Sequence, residues 1–259
     1  AIRRDGRWLS SPILNRGAIA WNDAGQFKIG RLQRQETAIA STGQSLPIVN
    51  LNSGYIQAGI SRYTSDWGAT YTPLTNNEGI AVVQNNQVTA HLPGGAAGKT
   101  AFPIPLNGYL LAFRTGSTAN MLPIGTILRL TDGTLPTEFA NYPHAIGAGP
   151  LLVQNRQIVL NAKAEGFSDA FSRQTAVRSA IGVTATGNLL IATVHNRVDG
   201  TGPTLWETAK IVQQMGSVNA LNLDGGSSTS LYLGGQLVNR SPATAARVHN
   251  GFGIFLESE

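Results

Sequence analysis

The stretch Asn219–Leu233, NALNLDGGSSTSLYL, decides how the chain is read. An apolar run, Ala220 to Leu223, delivers one carboxylate, Asp224, into Gly225-Gly226. The hydroxyl cluster Ser227 to Ser230 follows, and Leu231-Tyr232-Leu233 resumes a strand-like pattern. The stretch therefore reads as strand, tight turn, strand, with the chemistry at the turn. Two glycines allow positive φ and close backbone approach to a ligand, and successive N–H groups in such a turn can converge on an anion. Composition alone equally supports a plain hairpin turn capped by Asp and Ser, since these are ordinary turn residues.

Working outward, four short segments repeat one pattern: apolar stretch, two-residue polar turn, apolar stretch. They are Ile2 to Leu9 around Asp5-Gly6, Val82 to Val88 around Asn85-Asn86, Leu152 to Val159 around Asn155-Arg156, and Tyr232 to Val238 around Gly234-Gly235. Such pairs suit the primed turns of two-residue hairpins. Gly108 to Arg114, Ile127 to Leu130 and Pro150 to Val153 read as further strands. Phe102 to Pro105 is extended because Pro103 and Pro105 oppose helix. Gly94-Gly95 to Lys99 reads as an exposed loop, and the polar stretch Leu32 to Gln57 is not assigned.

A longer repeat overlies the hairpins. Arg16-Gly-Ala18-Ile19, with Gly25 and Ile29 following, matches Arg178-Ser-Ala180-Ile181, with Gly187 and Ile191 following, 162 residues later. Two copies suggest two related halves forming a cleft, with both arginines facing it; two ordinary hairpins that each begin with Arg are the simpler alternative. The clearest helix is Leu205 to Met215. Thr204 and Glu207 form a capping box, Leu205, Ala209, Val212 and Met215 keep helical spacing, and Gly216 ends it. The expected class is α+β: β-rich, largely antiparallel sheets with few helices.

With 42% hydrophobic and 13% charged residues, the 259-residue chain is not disordered and can bury a core. No apolar run matches a membrane-spanning helix, and no signal-peptide pattern opens at Ala1. The net charge of +5 permits anionic ligands. The arginines are scattered without a basic stripe, so no nucleic-acid partner is expected. Without cysteine there are no disulfides or thiolate metal sites. His91, His144 and His249 lack ligand spacing, so no metal site is assigned.

Asn222-Leu223-Asp224-Gly225-Gly226-Ser227-Ser228-Thr229 resembles the signature of the phosphodiester glycosidase family. Other matching pieces in family order are Tyr63-Thr64 with Trp67-Gly68, Pro105 with Gly108-Tyr109, Gly149-Pro150-Leu151-Leu152, Arg178 with Ala180-Ile181-Gly182, the Thr204 to Met215 helix, and Arg247 with Asn250. The resemblance covers almost the whole chain, so residues 1–259 are expected to form one such domain. Three departures stand out. Ser227 replaces a third glycine, His195 in Val194-His195-Asn196-Arg197 occupies a usually acidic position, and the Asn-Gly-Gly-Phe stretch that normally precedes the Arg3–Arg16 segment is not in this chain.

The resemblance implies hydrolysis of a sugar-1-phosphodiester, releasing a sugar and a phosphomonoester. Bacterial members are described as exopolysaccharide-related, which implies envelope or exported glycans and a periplasmic or extracellular location. The alternative is a catalytically weak glycan-binding module of the same fold. A phosphate leaves more readily than an alcohol, so the reaction needs chiefly a cradle for that phosphate and a carboxylate on the sugar side. Arg178 is the first candidate for the phosphate, through its planar fork. Arg197, His195 and the Gly226–Ser228 N–H groups come next; His195 is also a catalytic candidate from its usually acidic position, with a structural role the plainer account of a lone His at the end of an apolar strand.

Asp224 is the candidate general base or nucleophile. Ser228 and Thr229 would bind sugar or phosphate oxygens, with Gly225, Gly226, Ser227, Arg16, Arg247 and Asn250 lining the site. Glu165 and Asp169 are candidate second carboxylates, with simple surface solvation the plainer account of each. Glu207 is accounted for by the capping box. No cofactor is required, although Asp224 with backbone carbonyls could hold a divalent cation. The substrate is the one partner implied, and no oligomeric state follows.

Overall fold

The computed structural model describes residues 1–115, 118–198, 200–248 and 251–255. The chain divides into two compact units, Ala1–Gly147 and Ala148–Glu259.

The first unit holds a five-stranded antiparallel sheet in the order Arg7–Ser10, Ile2–Arg4, His144–Gly147, Gly17–Trp21, Phe27–Arg31. It also holds a seven-stranded sheet ordered Gln87–Pro93, Gly79–Gln84, Gly108–Arg114, Gly59–Tyr63, Ser45–Leu51, Gln33–Ala40, Leu128–Leu135. One pair in it, Ser45–Leu51 with Gly59–Tyr63, is parallel. Alternate residues of the larger sheet, including Ala38, Ile48, Val83, Leu111 and Phe113, build one core cluster. The unassigned stretch Leu32 to Gln57 thus contains two strands. Gln33-Arg34-Gln35-Glu36 conceals the first of them, because Glu36 is buried among arginines where an apolar residue would signal an inward face.

The second unit is built on a five-stranded antiparallel sheet, ordered Gln157–Ile158, Leu151–Gln154, Ser217–Asn222, Arg178–Thr184, Leu189–Val194. Helix α1 spans Asp169–Arg173 and helix α2 spans Leu205–Gln214. The capping box of α2 is present in both directions, Gly216 follows with φ +95°, and Ala209 and Val212 pack on Ala180, Ala220 and Val153 of the sheet.

All four two-residue turns form hairpins with positive φ at both central positions, as the Asp-Gly, Asn-Asn, Asn-Arg and Gly-Gly pairs predict. The long repeat also survives at the level of hydrogen bonds. Gly17–Trp21 pairs with Phe27–Arg31 with Ala18 opposite Gly30, and Arg178–Thr184 pairs with Leu189–Val194 with Ala180 opposite Ala192. In the turns, Asn22 N donates to Gln26 O and Gly25 N to Asn22 O, while Thr184 N donates to Asn188 O and Gly187 N to Thr184 O. Each hairpin lies within its own unit.

The strand, turn and strand read in Asn219–Leu233 are all present, but the alternative of a plain hairpin turn does not hold. Ser217–Asn222 is the central strand of its sheet, with both edges taken by Leu151–Gln154 and Arg178–Thr184. The returning chain cannot pair with it. Instead it forms a 3-10 turn at Gly226–Ser228 and then a separate ribbon, Tyr232–Leu233 with Gln236–Leu237.

Candidate active site

The strand Ser217–Asn222 ends against the start of Arg178–Thr184, where Leu223 N donates to Ser179 O at 2.9 Å. Asn222 is buried and anchors this end, its amide donating to Gly149 O at 2.9 Å and to Leu223 O at 2.7 Å. Asp224 follows, exposed to solvent, with Oδ1 accepting from Gly225 N at 3.0 Å. A single short bond to its own neighbour leaves this carboxylate open to a ligand.

Gly225 must be a glycine. A Cβ there would stand 2.9 Å from Val177 O and 3.7 Å from Arg178 Cδ. Gly226, at φ +61°, donates its N–H to Val177 O at 2.7 Å, and Ser228 N donates to Gly225 O at 3.2 Å. The expected cradle of Gly226–Ser228 N–H groups is therefore corrected: two of the three are spent on carbonyls. Ser227 N–H is the one with no protein acceptor among the described residues. Thr229 is wholly buried and its Oγ1 accepts from Ser179 Oγ at 3.0 Å, so it fixes the turn, whereas Ser227 is exposed.

Arg178 lies beneath this turn with 2% of its surface exposed. Nη2 donates to Gln174 O at 2.6 Å and the guanidinium sits 5.2 Å from the Phe171 ring centroid. Nε is enclosed without a partner. Among the described residues no carboxylate pairs with this cation, and burial lowers its pKa. A buried guanidinium without a counter-charge is costly to keep, and an incoming anion relieves that cost.

Two residues behind the turn were missed by the sequence reading. Arg240 donates from Nη1 to Ser227 O at 2.7 Å and Thr244 O at 3.1 Å, and from Nη2 to Gly226 O at 3.0 Å. Asn239 donates to Thr229 O at 3.1 Å and accepts from Leu231 N at 2.8 Å. The hairpin at Gly234-Gly235 contained the signal. Its register puts Leu237 opposite Tyr232, and Val238 N then donates to Leu231 O, so continuing outward returns Asn239 and Arg240 to the hydroxyl segment.

His195, read as catalytic, is held by the same device: its Nε2 is 3.0 Å from Asn239 Nδ2. Arg197, read as a phosphate ligand, is exposed and pairs with Glu207, the capping residue of α2. Glu207 has its pKa lowered by hydrogen bonds from the Thr204 backbone and side chain, with Arg197 adding to the effect. The surface reading of Glu165 is corrected. It is fully buried, Oε1 accepts from Leu151 N at 3.0 Å, and a Cβ on Gly149 would meet Oε2 at 2.8 Å. Asp169 is exposed in the first turn of α1.

Arg247 is exposed. Arg16 is half-buried in the first unit, immediately before Gly17–Trp21, while Arg178 and Asp224 belong to the second. Asn250 lies outside the described residues. Among the described residues, no group of three or more His, Asp or Glu side chains is arranged to hold a metal ion. No helix among them is long and apolar enough to cross a membrane.

The turn thus sets one open carboxylate next to a buried guanidinium that has no carboxylate partner among the described residues. The phosphodiester glycosidase family model matches residues 74–255, more than half of the chain, and the chain belongs to that family. Over 97 residues it is 30% identical to mouse N-acetylglucosamine-1-phosphodiester alpha-N-acetylglucosaminidase, a match covering 34% of this chain and 19% of the mouse protein. A hypothetical protein from Synechocystis has a solved structure that superposes with a TM-score of 0.92 at 53% identity, over 96% of this chain and 46% of that one. A protein of Burkholderia pseudomallei K96243 predicted to be exported shares the fold, with a TM-score of 0.68 at 21% identity, over 92% of this chain and 57% of that one. The chain thus spans less than a fifth of the mouse enzyme in the matched region and under half of the Synechocystis protein.

Proposed function

We propose that this protein hydrolyses the glycosidic bond of a sugar-1-phosphodiester, with the departing phosphate held by Arg178 and the sugar facing Asp224. The observation that carries this reading is the buried Arg178 beside the Gly225-Gly226 turn, lacking a carboxylate partner among the described residues. In the reaction, water adds to the anomeric carbon as the bond from that carbon to the phosphate oxygen breaks, and the bonding pair leaves on the phosphate. Developing negative charge there is stabilised by the guanidinium. Asp224 takes the proton of the attacking water, or attacks first and is released by water in a second step.

Asn222, Asn239 and Arg240 contribute by fixing the backbone from Leu223 to Leu231, so that the carboxylate and the hydroxyls meet the substrate preorganised. The resemblance to exopolysaccharide-related members supports bacterial envelope or exported glycans as the substrate class, and the shared fold of the Burkholderia pseudomallei protein predicted to be exported is in keeping with a periplasmic or extracellular location. No step requires a metal, and a chelator is expected to leave turnover unchanged.

The test is hydrolysis of an N-acetylglucosamine-1-phosphodiester in ¹⁸O-water by the chain and by Asp224→Asn. Label in the released sugar, with turnover lost in the variant, is the expected result. Label in the phosphate would replace this reading with attack at phosphorus. Glycan binding without turnover in either protein would replace it with the binding-module reading.

A further inference from the structure

The first unit contains a cavity that the proposed chemistry does not use. It is an open surface pocket of about 470 Å³, lined by Arg7, Trp8, Arg34, Glu36, Arg62 and Asp132 among others. Its floor is an ionic ladder. Arg34 Nη1 donates to Glu36 Oε2, Arg62 Nη2 lies 2.7 Å from Glu36 Oε1, and Arg34 Nε lies 3.0 Å from Asp132 Oδ1. Glu36 and Arg34 are nearly enclosed, with side-chain exposures of 1% and 5%, whereas Asp132 keeps 44% and Arg62 keeps 13%.

A purely structural ion cluster closes its own hydrogen bonds, since a half-satisfied buried network is less favourable than an apolar core. This one does not close them. Arg62 Nε is buried without a partner, and Arg34 Nε, although near Asp132, is misaligned for a hydrogen bond. The phenol of Tyr109, over whose ring the Arg62 guanidinium sits at 5.2 Å, is also buried without a partner, and burial pushes its pKa up to about 12.

Charge selects the occupant. Asp5, also on the wall, makes three acids against three arginines, and Arg7 is already paired with Asp66 at 3.0 Å, so the wall offers an anion no surplus of positive charge. What such a wall offers is guanidinium donors beside carboxylate acceptors in fixed positions. A vicinal pair of hydroxyls, each both donor and acceptor, satisfies both kinds at once. We infer that this cavity is a glycan subsite in the first unit that takes a neutral sugar ring, with Arg62 and Asp132 as the ligands to its hydroxyls. The subsite is independent of Asp224, and whichever bond the protein cleaves, it would hold a segment of a glycan chain.

The test is saturation-transfer difference NMR on the full chain carrying Asp224→Asn, in which turnover is expected to be lost, with cellobiose, N-acetylglucosamine and glucuronate as separate probes. Two further variants are compared: Asp132→Ala, at a half-exposed position, and Arg62→Lys, which keeps the charge facing Glu36 but removes the fork. Circular dichroism melting confirms that both are folded. Neutral-sugar signals that fall at least several-fold in both variants are the expected result. Signals unchanged by both variants, glucuronate as the sole binder, or no signal from any sugar at millimolar concentration would each overturn the inference. Failure of Asp224→Asn to alter turnover bears on the glycosidase reading and leaves these outcomes unaffected.

Discussion

The amide nitrogen of Asn239 faces Nε2 of His195 at 3.0 Å. Because Asn239 Oδ1 accepts from Leu231 N, the amide cannot be turned over, and Nε2 must be the acceptor in this pair. The ring then carries its proton on Nδ1, and its task is to hold Asn239 against Thr229 O. A general acid or base would be worth about 10²–10⁴-fold in rate. His195→Gln, which can still accept from Asn239, is expected to keep turnover within about tenfold and to preserve the pH profile. His195→Leu should lower thermal stability by about 1–3 kcal/mol, as one amide donor loses its partner. Loss of one limb of the pH–rate profile in His195→Gln would return His195 to a catalytic role.

Arg178 predicts an opposition between stability and activity. A buried cation with no acidic partner among the described residues is kept at a cost, and Met has a similar length without the charge. Arg178→Met is expected to melt at or above the parent temperature. It should also lose about 10²–10³-fold in kcat, the usual consequence of removing a group that stabilises developing charge. Inhibition by inorganic phosphate should weaken in parallel. A variant that melts well below the parent would mean that Arg178 holds the fold together and that its lack of a partner has no bearing on substrate.

Much of the architecture is legible because it rests on local chemistry. Asp5-Gly6, Asn85-Asn86, Asn155-Arg156 and Gly234-Gly235 tolerate positive φ, and each became a hairpin. Thr204 and Glu207 satisfy donors within one turn, and α2 starts between them. The repeated hairpins preserve one hydrogen-bond pattern because Asn22 and Thr184 each place a side-chain oxygen on the N–H four residues ahead, in Gln26 and Asn188. The rest depends on partners distant in sequence. Nothing near Asn222 announces that both edges of its strand are occupied, and nothing near Glu36 announces two arginines. Glu165 has the composition of a surface residue until Leu151 N and Gly149 are brought against it. In the site, Asp224 and Arg178 stand out by chemistry, whereas Arg240 emerges only when the ribbon is followed back to the turn.

Glu78 gives the first unit a pH-dependent component of stability. It accepts from Arg114 Nε at 2.8 Å, from Thr75 N at 2.8 Å and from the Tyr71 hydroxyl, all within a buried cluster. Burial alone would raise its pKa, but hydrogen bonds from Tyr71 and Arg114 outweigh burial and hold it below the ordinary value. A folded-state pKa below the unfolded one means that the contribution is complete above about pH 4.3 and is lost as pH falls through the lower folded value. Glu78→Gln should cost about 3–5 kcal/mol at pH 7, because Arg114 is left buried opposite a neutral group. In urea melts, the gap between parent and variant should narrow steadily below about pH 4. A gap that stays constant into acid would show that the carboxylate charge contributes nothing.

Gly225 and Gly226 separate a steric demand from a conformational one at the same turn. A methyl group at 225 meets Val177 O at 2.9 Å, and that carbonyl is held in place by the N–H of Gly226. At 226 there is no atom within 4 Å of the new Cβ, but φ is +61°. Gly226→Ala should therefore cost about 1–2 kcal/mol of backbone strain while leaving its neighbours where they are. Gly225→Ala should cost about 1–3 kcal/mol and displace the turn, carrying Asp224 with it. Since a misplacement of about 1 Å can cost about 10²-fold in rate, kcat should fall much further in Gly225→Ala than in Gly226→Ala at comparable stability. Equal losses of kcat in the two variants would show that the position of Asp224 does not depend on the contact between Gly225 and Val177.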